Sequence, residues 1–322
     1  MAYRAPDYKV AAVLGGTGFI GRYVVRELAR RGWRVNVLTR EPGRALFLKP
    51  MGAVGQIVPV FANIRDADSL AVGLRGADYV INTVGILAEG GNQTFEVLQA
   101  QGPGQLGRLA KEAGVERIVH ISAIGADPQS PSAYARTKAA GEAALREAFP
   151  DASILRPSIV FGPEDGFFNM FAGLARYLPA LPLIGGGRTR FQPVYVGDVA
   201  DAVMACLDRA DTPGRTYELG GPRTYTFREL IEMILAATHR RRFLVTAPWP
   251  VARLQARVLS LMPKPLLTPD QVVQLERDNV VSHGAAKLAD LGIDPTDLEL
   301  VLPTYMDRYR PGGRFADRRH AA

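Results

Sequence analysis

A chain of 322 residues that is 47% hydrophobic and 22% charged can bury a core, which excludes a disordered chain. Its 33 glycines and 23 prolines follow no repeat, which excludes collagen-like and low-complexity architectures. A single cysteine, Cys206, excludes an internal disulfide and a cysteine-held iron–sulfur cluster. The net charge of +7 is uneven: residues 240–269 carry +6 with no acid, residues 307–322 carry +3, and the rest carries −2.

The elements follow in order. Val10–Leu14 reads as a buried strand, then a glycine turn, then a helix over Phe19–Arg31 with Ile20, Val24 and Leu28 on one face. Strands are expected at Val35–Leu38, Val58–Phe61 and Tyr79–Asn82, with a helix over Ser69–Leu74 capped by Asp66. A long helix is expected over Gln93–Ala113, a strand within Val115–Ser122, a helix over Tyr134–Glu147, and strands at Ser153–Leu155 and Thr216–Leu219. Strands alternating with helices predict a parallel sheet covered on both faces. The expected organisation is a dinucleotide domain over 1–222, with an excursion around 163–190, and a smaller, mainly helical, basic portion over 223–322. The start, Met1–Lys9, lacks a signal-peptide run, and no run reaches the roughly 18–20 apolar residues of a spanning helix. The expectation is a soluble protein, or one held at a membrane surface through a partner.

The strongest motif is Gly15-Gly-Thr17-Gly18-Phe19-Ile20-Gly21, a G-x-x-G-x-x-G between a strand and a helix. Gly15 allows the sharp turn, Gly18 close approach of a pyrophosphate, and Gly21 tight helix–strand packing. The second strand ends Val37-Leu38-Thr39-Arg40 without the acid that would hold the ribose hydroxyls of NAD. Arg40, with Arg44 nearby, suits a 2′-phosphate, so NADPH (NADP+) is the expected cofactor. Asn63 and Ile64, after the third strand, are placed to border the adenine. Tyr134 and Lys138 stand four apart on one helical face, where a cation beside a phenol favours general acid–base chemistry.

Together with Asn82-Thr-Val84-Gly85, His120-Ile-Ser122 and Arg156-Pro157-Ser158-Ile-Val-Phe-Gly162, these motifs make the chain resemble an extended or atypical short-chain dehydrogenase/reductase with an α/β Rossmann doubly wound sheet. Gln192-Pro-Val-Tyr-Val-Gly-Asp-Val199 and Leu267-Thr-Pro-Asp-Gln-Val272 resemble a narrower family, the nucleotide-binding accessory subunits of respiratory complex I (NADH:ubiquinone oxidoreductase), in an alphaproteobacterial form. The resemblance implies that Val84 and Ser122 line the cofactor and that Pro157 and Ser158 neighbour its nicotinamide end. An active reductase would carry a second hydroxyl where Ala123 stands; a slip of one residue in that alignment leaves Ser122 as the donor. With Ala123 in that place the triad is defective, and Tyr134 and Lys138 bind the nicotinamide ribose.

The resemblance implies a non-catalytic, NADPH-holding subunit that partners other complex I subunits of the peripheral arm at the cytoplasmic face of the bacterial inner membrane. A free-standing NADPH-dependent reductase or epimerase and an NADP(H)-sensing regulator are the alternatives. A basic helix over 250–262, with Val251, Leu254, Val258 and Leu261 in register and Arg253 and Arg257 four apart, suits a subunit or an anionic membrane surface; its bland reading is docking on its own domain. No basic patch interleaved with aromatics supports nucleic acid, and no ligand spacing supports a metal. Asp198 is expected to cap the helix that follows it, Cys206 to lie in the core, and His120 to be buried and hydrogen-bonded.

Overall fold

The short apolar runs of the sequence pair edge to edge in one sheet of seven strands. These are β1 (Val10–Leu14), β2 (Arg34–Thr39), β3 (Ile57–Phe61), β4 (Tyr79–Asn82), β5 (Arg117–Ile121), β6 (Ser153–Pro157) and β7 (Thr216–Leu219). This computed structural model describes residues 8–260, 262, 265 and 267–313. The strand order is β7-β6-β5-β4-β1-β2-β3, and every pairing from β3 through to β6 is parallel. Order reverses between β1 and β4, the switch point outside which ligands of doubly wound folds sit.

Five helices accompany this sheet: α1 (Phe19–Arg30), α2 (Ala67–Leu74), α3 (Gly102–Glu112), α4 (Ala133–Ala148) and α5 (Val196–Asp208). Helix α1 buries Val24, Val25 and Leu28 and turns Arg22, Arg26 and Arg30 away from them. Helix α2 is capped as expected, the Asp66 carboxylate accepting from the Asp68 N–H. Leu14, Leu70, Leu74, Val80, Leu106, Ile118 and Leu145 join sheet to helices in one cluster. A fully buried leucine stabilises by roughly 1.5–3 kcal/mol. The Glu142 carboxylate on α4 is buried and accepts from both Nε and Nη2 of Arg156 on β6, at 2.9 and 2.6 Å. Arg117 of β5 donates to the Cys206 and Arg209 carbonyls at the end of α5.

One expected helix is changed in kind. The segment expected as a single helix over Gln93–Ala113 is wound as a π-helix over Glu96–Gln101 and becomes α-helical from Gly102. Pro103 has no N–H to give the carbonyl four residues earlier, Gln99, so an α-ladder cannot run through this point.

The chain forms two units: Met1–Ser130 with Tyr134–Arg156 and Val199–Tyr217, and Pro131–Ala133 with Pro157–Asp198 and Glu218–Ala322. This differs from a single boundary at 222. Residues on both sides of that point share one apolar cluster, with Phe161, Phe168, Phe171, Leu181 and Phe191 packed with Phe227, Leu230, Ile234, Leu298 and Leu302. The excursion therefore belongs to the second core. That unit contains helices at Phe167–Tyr177, Phe227–Ala237, Trp249–Leu259, Pro269–Leu275 and Leu298–Met306. It also holds three two-stranded ladders, one of which pairs Ala180–Ile184 with Phe243–Ala247 in parallel.

The basic helix expected over 250–262 spans Trp249–Leu259 and, in line with its bland reading, packs on its own unit with Arg253 and Arg257 exposed. Ala252 and Ala256 are its buried residues, while Val251, Leu254 and Val258 are exposed. Trp249 at the helix start also packs on the cluster that holds Ala252 and Ala256, so the small alanines and the tryptophan hold the helix while these three aliphatic side chains are left outside. Leu261 and the arginines from 314 onward lie outside the described residues. Among the described residues no helix is long and apolar enough to cross a membrane.

Candidate functional site

The glycine loop is built by close contacts at the switch point. Gly15 has φ +73°, and a Cβ there would stand 2.7 Å from Thr83 Oγ1 and 3.1 Å from the Thr83 carbonyl oxygen. Thr83 in turn donates its N–H and its hydroxyl to the Leu14 carbonyl, at 3.0 and 2.8 Å. The loop is thereby pinned to the end of β4. The Gly18 N–H closes the turn on the Gly15 carbonyl at 2.8 Å, and a Cβ on Gly21 would overlap that same oxygen. Helix α1 then begins with no side-chain cap and no acid in its first turn. A helix start of this kind leaves its first N–H groups, here those of Phe19 and Ile20 after Thr17 and Gly18, and the positive end of its dipole suited to a phosphate.

At the end of β2, Arg40 is exposed and carries no ion pair among the described residues. Arg44 is occupied differently: its Nε stands 2.8 Å from Glu41, an exposed pair that contributes little to stability. Asn63 Oδ1 accepts from the Arg65 N–H at 3.1 Å and so shapes the loop after β3. Ile64 is buried in the core cluster.

The ends of β4 and β5 bring together a second set of groups. Lys138 Nζ donates to the Ile121 carbonyl at 3.1 Å and stands 6.0 Å from the centroid of the Tyr134 ring. The Tyr134 ring meets Phe95 edge-on at 5.8 Å. Burial lowers Lys138 to about 8, with Glu142 opposing the shift, so the ammonium form still predominates at neutral pH. Val84 is half-buried, and its N–H donates to Asn82 Oδ1 at 3.0 Å. Ala123 is half-buried and supplies no hydroxyl.

Three neighbours here are buried with polar atoms that meet no partner among the described residues: Asn82 Nδ2, both ring nitrogens of His120, and Ser122 Oγ. Asn82 and His120 are register partners across β4 and β5. His120 is buried as expected but, among the described residues, not hydrogen-bonded as expected; strand register sets it beside Asn82, and the Lys138 cation acts on it. Orphaned polar atoms in such number mark a place prepared for a polar guest. Neither His120 nor Asn82 stood out as a site residue in the sequence; only the strand register brings them together.

Burial first, and then the Lys138 charge, lower His120 to about 3 from its ordinary 6.5. The unfolded chain therefore binds the proton more readily. The contribution to stability is complete above about pH 6.5 and is lost as pH falls toward the folded value, by up to about 1.4 kcal/mol per pH unit. Urea midpoints measured between pH 6.5 and 4.5 are expected to fall by the equivalent of about 2–3 kcal/mol, and His120→Gln is expected to remove that slope. An unchanged slope in the variant would assign the acid sensitivity to other groups.

Several other residues named in the sequence have contacts of their own. Pro157 ends β6. The Ser158 hydroxyl, in the second unit, lies 2.6 and 2.8 Å from Oδ1 and the carbonyl oxygen of Asn279. Asp198 is not the cap of α5: the helix begins at Val196, and the Asp198 carboxylate accepts from the N–H and hydroxyl of Thr296, both at 2.7 Å. Cys206 is in the core as expected, burial pushing its thiol up to about 12. A cavity of about 510 Å³ in the second unit, lined by Glu164, Asp165, Asn169, Arg176, Arg308 and Tyr309, contains none of the expected site residues.

With this geometry in hand, comparison with known proteins is direct. The profile of the NAD dependent epimerase/dehydratase family matches residues 11–220. The chain belongs to that family. The family's description names a nicotinamide dinucleotide, and the glycine cradle, the uncapped helix and the orphaned Ser122 hydroxyl fit such a group. The chain is 39% identical to NADH dehydrogenase [ubiquinone] 1 alpha subcomplex subunit 9 of Arabidopsis thaliana, over 94% of this chain and 79% of that one. It is 37% identical to the Rattus norvegicus protein of the same name, over 94% and 80%. Its fold is shared with the NADPH-dependent quinone oxidoreductase of Escherichia coli, with TM-score 0.72, 19% identity, and coverage of 92% of this chain and 99% of that one.

Proposed function

We propose that this protein is an NADPH-binding accessory subunit of respiratory complex I, in which the dinucleotide is a structural ligand. The observation that carries this reading is the similarity to the alpha subcomplex subunits, which extends over 94% of the chain and includes the second unit. The glycine loop and the start of α1 would take the pyrophosphate, Arg40 the 2′-phosphate, and Tyr134, Lys138 and Ser122 the nicotinamide ribose. Asn63, Ile64 and Val84 would border the adenine and the dinucleotide's middle.

The chemistry at β5 supports holding over turnover. Carbonyl reduction in this fold needs a hydroxyl to steady the substrate oxygen beside the tyrosine, and Ala123 cannot supply one. A ligand bound only by the folded state stabilises it by mass action, so a permanently held NADPH would report and reinforce the native subunit. Its partners would be subunits of the peripheral arm, at the cytoplasmic face of the inner membrane. A second reading, a free-standing NADPH-dependent reductase, is favoured by the intact Tyr134 and Lys138 and by the unpartnered Ser122 hydroxyl.

Native electrophoresis of detergent-extracted membranes separates the two. The subunit is expected to co-migrate with NADH dehydrogenase activity and to carry bound NADPH. Migration alone, with steady NADPH oxidation on a carbonyl panel abolished by Tyr134→Phe, would replace the first reading by the second.

A further inference from the structure

The second unit leaves two consecutive elements with apolar side chains in water. On the helix Trp249–Leu259, Val251, Leu254 and Val258 are 46%, 63% and 60% exposed. At about 100° per residue these three lie within a sector of about 60°, and the buried pair Ala252 and Ala256 lies on a separate sector. The helix is thus amphipathic twice over, with an alanine stripe turned to its own unit and a larger aliphatic stripe turned away. The strand before it, Phe243–Ala247, shows the same habit: Phe243 and Val245 are 78% and 55% exposed, while Ala247 is buried. Phe243 is held by the bond from its N–H to the Pro179 carbonyl, beside exposed Tyr177 and Leu178.

The stretch of chain that carries the helix and strand is charged with one sign. Residues 240–269 contain five arginines and a lysine and no acid. Arg241 and Arg257 are exposed and carry no ion pair among the described residues. Among the described residues of this stretch, Arg253 is the cation with an ion pair, to Glu276. On the helix, Arg257 borders the aliphatic stripe at about 60° from Leu254. Aliphatic side chains next to unpaired arginines match a bilayer interface, where the first enter the acyl boundary and the second meet phosphates. An apolar protein partner would not call for the excess of unpaired cations.

We propose that the aliphatic stripe Val251, Leu254 and Val258, with Phe243 and Val245 on the preceding strand, docks this protein on an anionic lipid bilayer. The proposal deepens the reading above by naming the lipid surface as a direct partner of the second unit, yet its test needs only the isolated full-length chain.

The test is co-sedimentation with vesicles of phosphatidylcholine and phosphatidylglycerol (70:30), set against phosphatidylcholine alone. The chain is expected to partition onto the mixed vesicles and at least tenfold less onto the neutral ones, and added salt should weaken binding because exposed charges are screened. Leu254→Asp with Val258→Asp is expected to weaken partition at least tenfold. Arg241→Gln with Arg257→Gln is expected to weaken it about 25-fold, at about fivefold per arginine. All four positions are exposed, so thermal midpoint and NADPH affinity should be unchanged, which keeps loss of fold from imitating loss of docking.

The proposal is overturned by failure to bind the mixed vesicles at low salt, by equal binding to both vesicles, or by indifference to the aspartate pair. It is equally overturned if sedimentation velocity shows self-association that Leu254→Asp abolishes while vesicles remain unbound, since the occupant would then be a second copy. Vesicle binding without co-migration with NADH dehydrogenase activity would refute the complex I reading alone; co-migration without vesicle binding would refute the docking alone.

Discussion

Gly141→Ala is expected to destabilise the protein by at least about 3 kcal/mol, the upper end of what overpacking costs. The methyl group would overlap the Gln99 carbonyl oxygen and stand 3.1 Å from Pro103 Cγ. The obstacle is backbone, so no rotamer change relieves it. The same seam continues along α3, where Cβ atoms on Gly104 and Gly107 would each come to 2.9 Å from Ala144 and Ala148. Because α4 carries both Tyr134 and Lys138, a displaced α4 would also draw Lys138 from the Ile121 carbonyl. Urea unfolding and NADPH titration should therefore fail together. Gly173→Ala is the control: that helical glycine has open space around its Cβ direction and should gain about 0.5–1 kcal/mol. A Gly141→Ala protein within 1 kcal/mol of the parent would mean that α3 and α4 are not packed at this distance.

Arg40→Ala is expected to weaken NADPH binding by about 10- to 100-fold, the range of a charge-assisted hydrogen bond to a phosphate. NADH binding should change by less than about twofold, since only NADPH presents the 2′-phosphate. The exposed Arg40 has no competing carboxylate, whereas Arg44 is already on Glu41. Arg44→Ala should accordingly have the smaller effect. Isothermal titration with both nucleotides decides the matter, and an equal loss for the two would remove Arg40 from the phosphate.

The sheet was legible because its strands are buried on both faces and read as unbroken apolar runs, as in Val10–Leu14 and Tyr79–Asn82. The glycine loop was legible because each glycine answers a steric demand that shows at the residue level. The π-turn at Glu96–Gln101 was not, since six residues are too few to reveal a changed apolar period and only Pro103 hints at the break. The boundary at 222 misled for a different reason. The shared core of the second unit joins Phe161 to Phe227 and Leu298, and long-range packing of that kind leaves no local period. The site divided in the same way. Arg40, Tyr134 and Lys138 announce themselves by type and spacing, whereas Asn82 and His120 become neighbours only through strand register. The helix at 249–259 was found, but the register of Val251, Leu254 and Val258 did not say which stripe faces inward, and the alanines are its buried residues.

The order in which the first unit is written along the chain sets the order in which it can be finished. Its seventh strand and the helix that Arg117 caps come from residues 196–219, after a long passage through the second unit. A nascent chain that has emerged only as far as residue 156 has made the glycine loop, Arg40, Tyr134 and Lys138. It still presents β6 as an open sheet edge, the kind of surface that invites pairing with other chains. During synthesis the nucleotide unit therefore waits, unclosed, while the segment 157–198 is translated. Ending the chain at residue 156 would then not release a smaller dinucleotide-binding protein. It would instead deprive the sheet of its last strand and leave β6 open to self-association.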